Sequence, residues 1–272
     1  MERDGRSLKE GATISGDVLV VGAGPAGLAV AWSLAEQGAS VVVLEGGGLE
    51  PDSESTALLE GDIVGGVLPT TAGDRTSLTE ITSAGFGGTT QLWAGHIQPL
   101  TGRDLKPQPF HDVGGWPLSY DDLEAWFEPA SAFLHFGSEL LSTEDALSRS
   151  GLPEPPDLGD GFAEQVVLTR TYSFGDEQRD AIVEHANIDL VHHANVMQLN
   201  TGPDGATVES AEVRTLDGIT WTASAPKVVL ACGGIGNPRL LLSSTDHHPA
   251  GIGNEADLVG RYYTDHPKAF AW

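Results

Sequence analysis

Two glycine-rich turns about two hundred residues apart constrain this chain more than any other feature. The first lies in Val18-Leu-Val-Val-Gly-Ala-Gly-Pro-Ala-Gly27. The second lies in Val228-Val-Leu-Ala-Cys-Gly-Gly-Ile-Gly-Asn-Pro-Arg-Leu-Leu-Leu242. Each runs from a short, valine-rich apolar stretch through glycines into a second apolar stretch, the pattern of a buried strand feeding a helix. Residues 17–21 read as a strand. A helix is expected over 25–37, with Pro25 in its first turn and Gly38 beyond its end. Residues 40–44, Ser-Val-Val-Val-Leu, read as a second buried strand. Such a β-α-β unit requires parallel strands.

The first turn has the spacing Gly22-x-Gly24-x-x-Gly27. Gly22 permits the tight turn, Gly24 lets the backbone approach a pyrophosphate, and Gly27 allows helix and strand to pack closely. The helix start at Ala26 then faces the phosphates with free amides. Glu45 ends the next strand, where a carboxylate can accept hydrogen bonds from ribose hydroxyls; it also disfavours a 2′-phosphate, and so NADP. Removing it is expected to weaken the ligand without unfolding the chain. The local motif does not choose between FAD and NAD, which both present a pyrophosphate and an adenosine.

The 272 residues leave room for one large or two ordinary domains, and 40% hydrophobic residues suffice for a core. Lys and Arg total 14 against 39 Asp and Glu, a formal charge of -25. That balance speaks against nucleic acid and against anionic lipid as partners. The single cysteine, Cys232, excludes an intrachain disulfide. Residues 1–16 read as a polar tail without an apolar signal core, and no apolar run is of membrane-spanning length, so a cytoplasmic location is the expectation.

Residues 46–90 are rich in Gly, Thr, Ser and Asp and read as long loops. Ser119 should cap a helix from Tyr120 to about Leu134. Beyond a Pro/Gly/Asp linker at 150–160, a strand is expected near 164–169 and a helix near 176–186. Strands follow at 188–192, 195–199, 206–215 and 219–224, with Asp217-Gly218 as a hairpin turn. Residues 227–231 are a further buried strand, followed by a helix over 236–243.

Three more segments occur in order after the first turn: Gly87-Gly-Thr-Thr-Gln-Leu-Trp-Ala-Gly-His96, Gly115-Trp-Pro-Leu-Ser-Tyr-Asp-Asp-Leu-Glu-Ala-Trp-Phe127, and, after Val228–Leu242, Leu258-Val-Gly-Arg-Tyr-Tyr-Thr-Asp-His-Pro267. Taken together they resemble the glucose–methanol–choline family of flavin oxidoreductases, most closely its bacterial sugar-, gluconate- and pyranose-oxidising branch. The resemblance runs from about Asp17 to the end of the chain. It implies FAD as cofactor, with Gly22, Gly24, Ala26 and Gly27 at the pyrophosphate and Glu45 at the ribose. It implies that Gly88, Thr89, Trp93, Ala94, Gly95 and His96 run beside the flavin ring, that the Val196 backbone pairs with the adenine, and that Ala231 and Gly233 close on the cofactor.

The resemblance further implies an α/β fold: a Rossmann-like parallel sheet from residues near 17–45, 187–199 and 227–243, with a β-meander over 206–224 beside it. The FAD-binding domain would comprise 17–100 and 187–264. An incomplete cap or substrate portion would comprise 101–186, and 265–272 would begin a further substrate-domain segment. Some pyranose-oxidising relatives attach the flavin to a histidine just before the loop tryptophan. Here Leu92 stands in that place, which implies a non-covalent flavin. The family draws its catalytic histidine from a later segment, so none is assigned in this chain. His192 and His193 should alternate to opposite faces of a strand, and no histidine shows a metal-ligand pattern. The implied activity is oxidation of an alcohol group on a sugar, polyol or glycoside by hydride transfer to flavin, completed by a C-terminal segment or partner chain. The alternative is a flavin-binding subunit with no catalysis of its own. A two-dinucleotide flavoprotein using NAD(P)H would need a second complete fingerprint, which Gly233-Gly-Ile-Gly236 lacks.

Overall fold

The computed structural model describes residues 1–63, 68–70, 73–75, 77–107, 114–136, 147–148, 151, 153 and 173–263. The strand expected near 164–169 and the segment 265–272 lie outside them. The chain divides into two units, Met1–Leu92 with Ser173–Trp272, and Trp93–Tyr172.

The first unit is built on a five-stranded sheet. Its strands are β1 (Glu2–Asp4), β3 (Val18–Val21), β4 (Val41–Leu44), β7 (Ile188–His192) and β11 (Lys227–Leu230), in the order β1-β7-β4-β3-β11 and parallel throughout. Helix α1 (Pro25–Glu36) links β3 to β4. A second sheet has the order β2-β10-β9-β8, from β2 (Thr13–Ser15), β8 (Asn195–Thr201), β9 (Val208–Arg214) and β10 (Thr220–Ser224). Strands β8, β9 and β10 form an antiparallel meander, and β2 pairs parallel to β10.

Strand alternation explains how these layers stack. Leu19, Val21, Val42, Leu44 and Val191 form one cluster with Leu199, Ala211, Val213, Trp221 and Ala223 of the meander. The intervening Val18, Val20, Val41, Val43, Ile188 and Leu190 are equally buried. They face the opposite side, where α1 and helix α4 (Phe174–Glu184) pack. Strands covered on both faces read as unbroken apolar runs rather than alternating ones.

Between β4 and the second unit lie a short helix α2 (Ser53–Ala57) capped by Asp52, and a hairpin of β5 (Leu68–Thr70) with β6 (Gly73–Arg75). A 3-10 turn closed by a Ser77–Glu80 capping box follows. In the second unit, α3 (Tyr120–Phe133) begins at a reciprocal cap: Ser119 Oγ accepts from the Asp122 amide, and Asp122 Oδ2 accepts from the Ser119 amide. Strand β11 leads into α5 (Gly233–Ser243). Among the described residues no helix is long and apolar enough to cross a membrane.

Several expectations need correction. The N-terminal stretch is not a tail: β1 extends the parallel sheet and β2 the meander, each by backbone pairing that hydropathy does not register. Residues 195–199 belong to the meander, because His193 turns the chain out of β7 at φ 52°. The loops over 46–90 contain α2, the hairpin and the capped turn; α2 and the turn are set by local capping. The cap portion was expected over 101–186. However, 173–186 belongs to the first unit, where Phe174 and Ile182 are fully buried. Conversely, 93–100 belongs to the second unit, in which Trp93 meets Phe136 edge-on at 6.5 Å.

Candidate functional site

The connections reverse direction between β3 and β11. From β3 the chain moves to β4 and on to β7; β11 returns on the other side of β3. In an open parallel sheet the crevice beyond the carboxyl ends at such a point is where ligands bind. Both glycine turns stand there, side by side. Gly22 has φ 104°, and a Cβ on it would lie 2.6 Å from the Ala231 carbonyl oxygen. A Cβ on Gly27 would lie 2.1 Å from the Gly22 carbonyl oxygen. Both positions therefore exclude any side chain, for turn-to-turn and helix-to-turn contact respectively.

Gly24 differs: a Cβ there meets nothing within 4 Å. It is the N-cap of α1 and offers no side chain to the first-turn amides, while Pro25 has no amide to offer. Ala26 is exposed in that turn. Helix α5 repeats the arrangement beside it. Its first residues Gly233 and Gly234 are exposed with open Cβ positions, and Cys232 provides no side-chain cap. The glycines of 233–236 thus form the first helical turn, three residues ahead of the expected start at 236. Two uncapped helix N-termini, each fronted by glycine, make a cradle of free amide donors suited to an anionic pyrophosphate.

Glu45 lies at the base of this cradle, 7% exposed. Its Oε2 accepts from the Ala23 amide at 2.9 Å. Its Oε1 accepts from the amides of Gly47 at 3.0 Å and Gly85 at 2.8 Å. Burial pushes its carboxyl above the ordinary range, against the opposing pull of amides that include these three. The carboxylate joins the phosphate turn, the loop after β4 and the segment before Gly87. With the Gly46 amide also lowering it, the carboxylate is held by backbone amides on every side that the fold supplies. Removing Glu45 would leave its buried amide partners without an acceptor, so a loss of stability is expected beside any loss of ligand.

The segment after Gly85 closes over the first turn. The Gly87 amide donates to the Ala23 carbonyl at 2.9 Å, and a Cβ on Gly88 would sit 3.1 Å from Gly24 Cα. Thr89 is exposed beside it. Val196 lies at the start of β8, opposite Val213, where the pairing slips around Met197. Trp93, Ala94, Gly95 and His96 fall in the second unit, with His96 exposed. Cys232, half-buried, donates from Sγ to the Val21 carbonyl at 3.3 Å. Burial, with a contribution from Glu45, pushes its thiol up to about 12. Folded protein at pH 8 should therefore react with a thiol-specific chromogenic reagent far more slowly than protein in denaturant; equal rates would contradict this environment.

A model of the family described as FAD dependent oxidoreductase matches residues 17–251. The chain belongs to that family. The matched span runs from β3 beyond α5 and so contains both glycine turns. Among curated proteins, the 2-methyl-1,2-propanediol dehydrogenase of Mycolicibacterium austroafricanum is 27% identical, over 92% of this chain and 55% of its own length. The fructose dehydrogenase large subunit of Gluconobacter japonicus is 26% identical, over 94% and 59%. The chain thus spans somewhat over half the length of these relatives. A crystal structure of formate oxidase superposes with a TM-score of 0.55 at 18% identity, covering 87% of this chain and 48% of that one, a likeness of fold. Together these findings support the FAD-binding part of a glucose–methanol–choline flavoenzyme. The free amides and the open Gly24 fit the pyrophosphate of FAD.

Sequence reasoning misjudged the histidines. His192 ends β7, but His193 adopts a left-handed conformation, so the rings do not diverge: their centroids are 4.9 Å apart. Two histidines also meet carboxylates from distant parts of the chain. His185 meets Glu36 at 3.0 Å and His192 meets Glu2 at 2.7 Å. These partners come from 149 and 190 residues away, so no local pattern signals them.

Proposed function

We propose that this chain holds FAD without a covalent bond and forms the flavin-binding part of an enzyme that oxidises an alcohol group of a sugar, polyol or glycoside. The observation that carries the proposal is the pair of uncapped, glycine-fronted helix N-termini at the β3/β11 crevice, with Glu45 beneath them. The two curated relatives, a diol dehydrogenase and a fructose dehydrogenase subunit by name, support an alcohol as substrate. Bound FAD would supply the acceptor for a hydride from the alcohol carbon. The chain's own residues would bind and orient. The α1 and α5 amides would hold the pyrophosphate, Glu45 a ribose hydroxyl, and the Val196 backbone the adenine. Gly88 and Thr89 would run beside the flavin ring.

The catalytic base is proposed to come from a segment following the counterpart of this chain in its longer relatives. His185 and His192 each hold a carboxylate, and the side chain of His248 meets the Gly205 carbonyl oxygen at 2.7 Å, so all three already serve packing. Acid precipitation of the purified protein should release FAD into the supernatant. Flavin colour left in the pellet would overturn non-covalent attachment, and NAD in its place would overturn the cofactor. Under anaerobic conditions a panel of sugars and glycosides should bleach the flavin only when a C-terminal segment is co-expressed. Rapid bleaching by this chain alone would put the base inside it, with His96 the first residue to replace; no bleaching in any pairing would favour a binding subunit.

Gly24→Ala isolates the cradle from the fold. Its Cβ meets no protein atom within 4 Å. Far-UV circular dichroism and melting should therefore be nearly unchanged. Flavin affinity should fall about tenfold or more, because a methyl group forced into a close-packed contact costs on the order of 1–3 kcal/mol. Undiminished affinity by fluorescence titration would remove Gly24 from the pyrophosphate contact.

A further inference from the structure

The outer end of β7 carries a cluster that flavin binding leaves unexplained. Parallel pairing of β1 with β7 sets Asp4 opposite His192. His193 then turns back at φ 52° toward the same side. Gly5 permits the approach, since a Cβ there would lie 3.0 Å from the carbonyl oxygens of both histidines. One ligand atom each from Asp4, His192 and His193 consequently lies within 4.8 Å of the other two. His192 is 7% exposed, and its Nε2 is 2.7 Å from Glu2 Oε1. Its Nδ1 is buried with no hydrogen-bond partner. A carboxylate only accepts, so Nε2 carries the proton, and in the neutral ring Nδ1 is a bare lone pair. An orphaned buried acceptor is costly. An imidazole that donates from one nitrogen to a carboxylate and keeps the other unpartnered is prepared as metal-ligating histidines are.

We propose that Asp4, His192 and His193 bind a divalent transition-metal ion of the zinc type, through one carboxylate oxygen and two imidazole nitrogens, with His192 ligating through Nδ1. Two imidazoles and a carboxylate suit zinc and its neighbours rather than calcium or magnesium, which take oxygen ligands. Glu2 is a positioning residue: it fixes the His192 tautomer without touching the ion. Arg6 is the competitor. Its guanidinium holds Asp4 Oδ2 at 2.6 Å, but its side chain is 48% exposed and can swing into solvent when the ion takes the carboxylate. The ion would fasten the first strand to the edge of the sheet.

Untagged full-length protein, stripped with chelator and titrated calorimetrically with zinc chloride, tests this. One saturable site is expected. Glu2→Gln should weaken it about 10–100-fold, the usual loss when an outer partner of a ligating histidine is removed. His193→Ala should weaken it at least as much. Arg6→Gln should tighten it, because the competing cation is gone. Zinc should raise the melting temperature of the wild type and not of His193→Ala. Absence of a saturable site would overturn the proposal, and so would an affinity unchanged in Glu2→Gln and Arg6→Gln. Should the Glu2 or His193 variant fail to fold, the exposed Arg6 substitution decides alone: tightening supports the site and an unchanged affinity overturns it.

Discussion

Glu45→Ala is expected to destabilise the fold before it affects any ligand. The substitution strips hydrogen bonds from the amides of Ala23, Gly47 and Gly85, which belong to three separate segments. Each buried donor left without a partner costs about 1–3 kcal/mol, so a loss of roughly 3–6 kcal/mol is expected, with water refilling part of the space. That is a large fraction of the stability of an ordinary domain, ~5–15 kcal/mol. Glu45→Gln should fall between the two, because its carbonyl can still accept while its NH2 group meets other donors. Urea unfolding of the three proteins checks the order. A Glu45→Ala midpoint equal to wild type would mean that the carboxylate is not the tie between these segments.

Gly27→Ala should be as damaging for a different reason. The added methyl carbon would lie 2.1 Å from the Gly22 carbonyl oxygen and 3.1 Å from Ala231 Cβ. Neither the turn nor the neighbouring strand end can retreat, since the Gly22 amide is itself bonded to the Leu44 carbonyl and the Ala231 amide to that of Val21. Helix α1 must lift away from β3, exposing Leu28 and Ala31, which are fully buried. A loss above about 3 kcal/mol is expected, beyond the usual range for an overpacked core. The variant should be recovered poorly and without flavin. Normal yield and melting temperature would show that α1 has slack that the packing does not reveal. With Gly24→Ala, two glycines three positions apart are expected to fail in opposite ways, one in folding and one in binding.

The parallel sheet was legible because its strands are buried on both faces and so appear as Val-rich runs, and because the glycine spacing demands a particular turn. Helix α3 was legible from Ser119 and the acidic residues after it. What escaped depended on partners remote in sequence. Glu2–Asp4 has no strand pattern of its own and becomes a strand by lying against Leu190–His192. The alternation rule placed His192 and His193 apart because it assumed an unbroken strand, and the left-handed turn at His193 ends it. Glu45 was correctly singled out as an acid at a strand end. Its amide partners could not be foreseen, since Gly85 arrives from 40 residues downstream.

The pairing of β11 with β3 joins Lys227–Leu230 to Val18–Val21, about two hundred residues earlier. During synthesis β3 and β4 emerge early and can pair at once, yet the other edge of β3 has no neighbour until β11 leaves the ribosome. At about 5–20 residues per second that interval is on the order of 10–40 s. Throughout it, an apolar strand edge stands open to other chains, and only one of the two helix N-termini that flank the crevice exists. A nascent chain of this protein therefore cannot complete its cofactor cradle until the helix at Gly233–Ser243 has emerged.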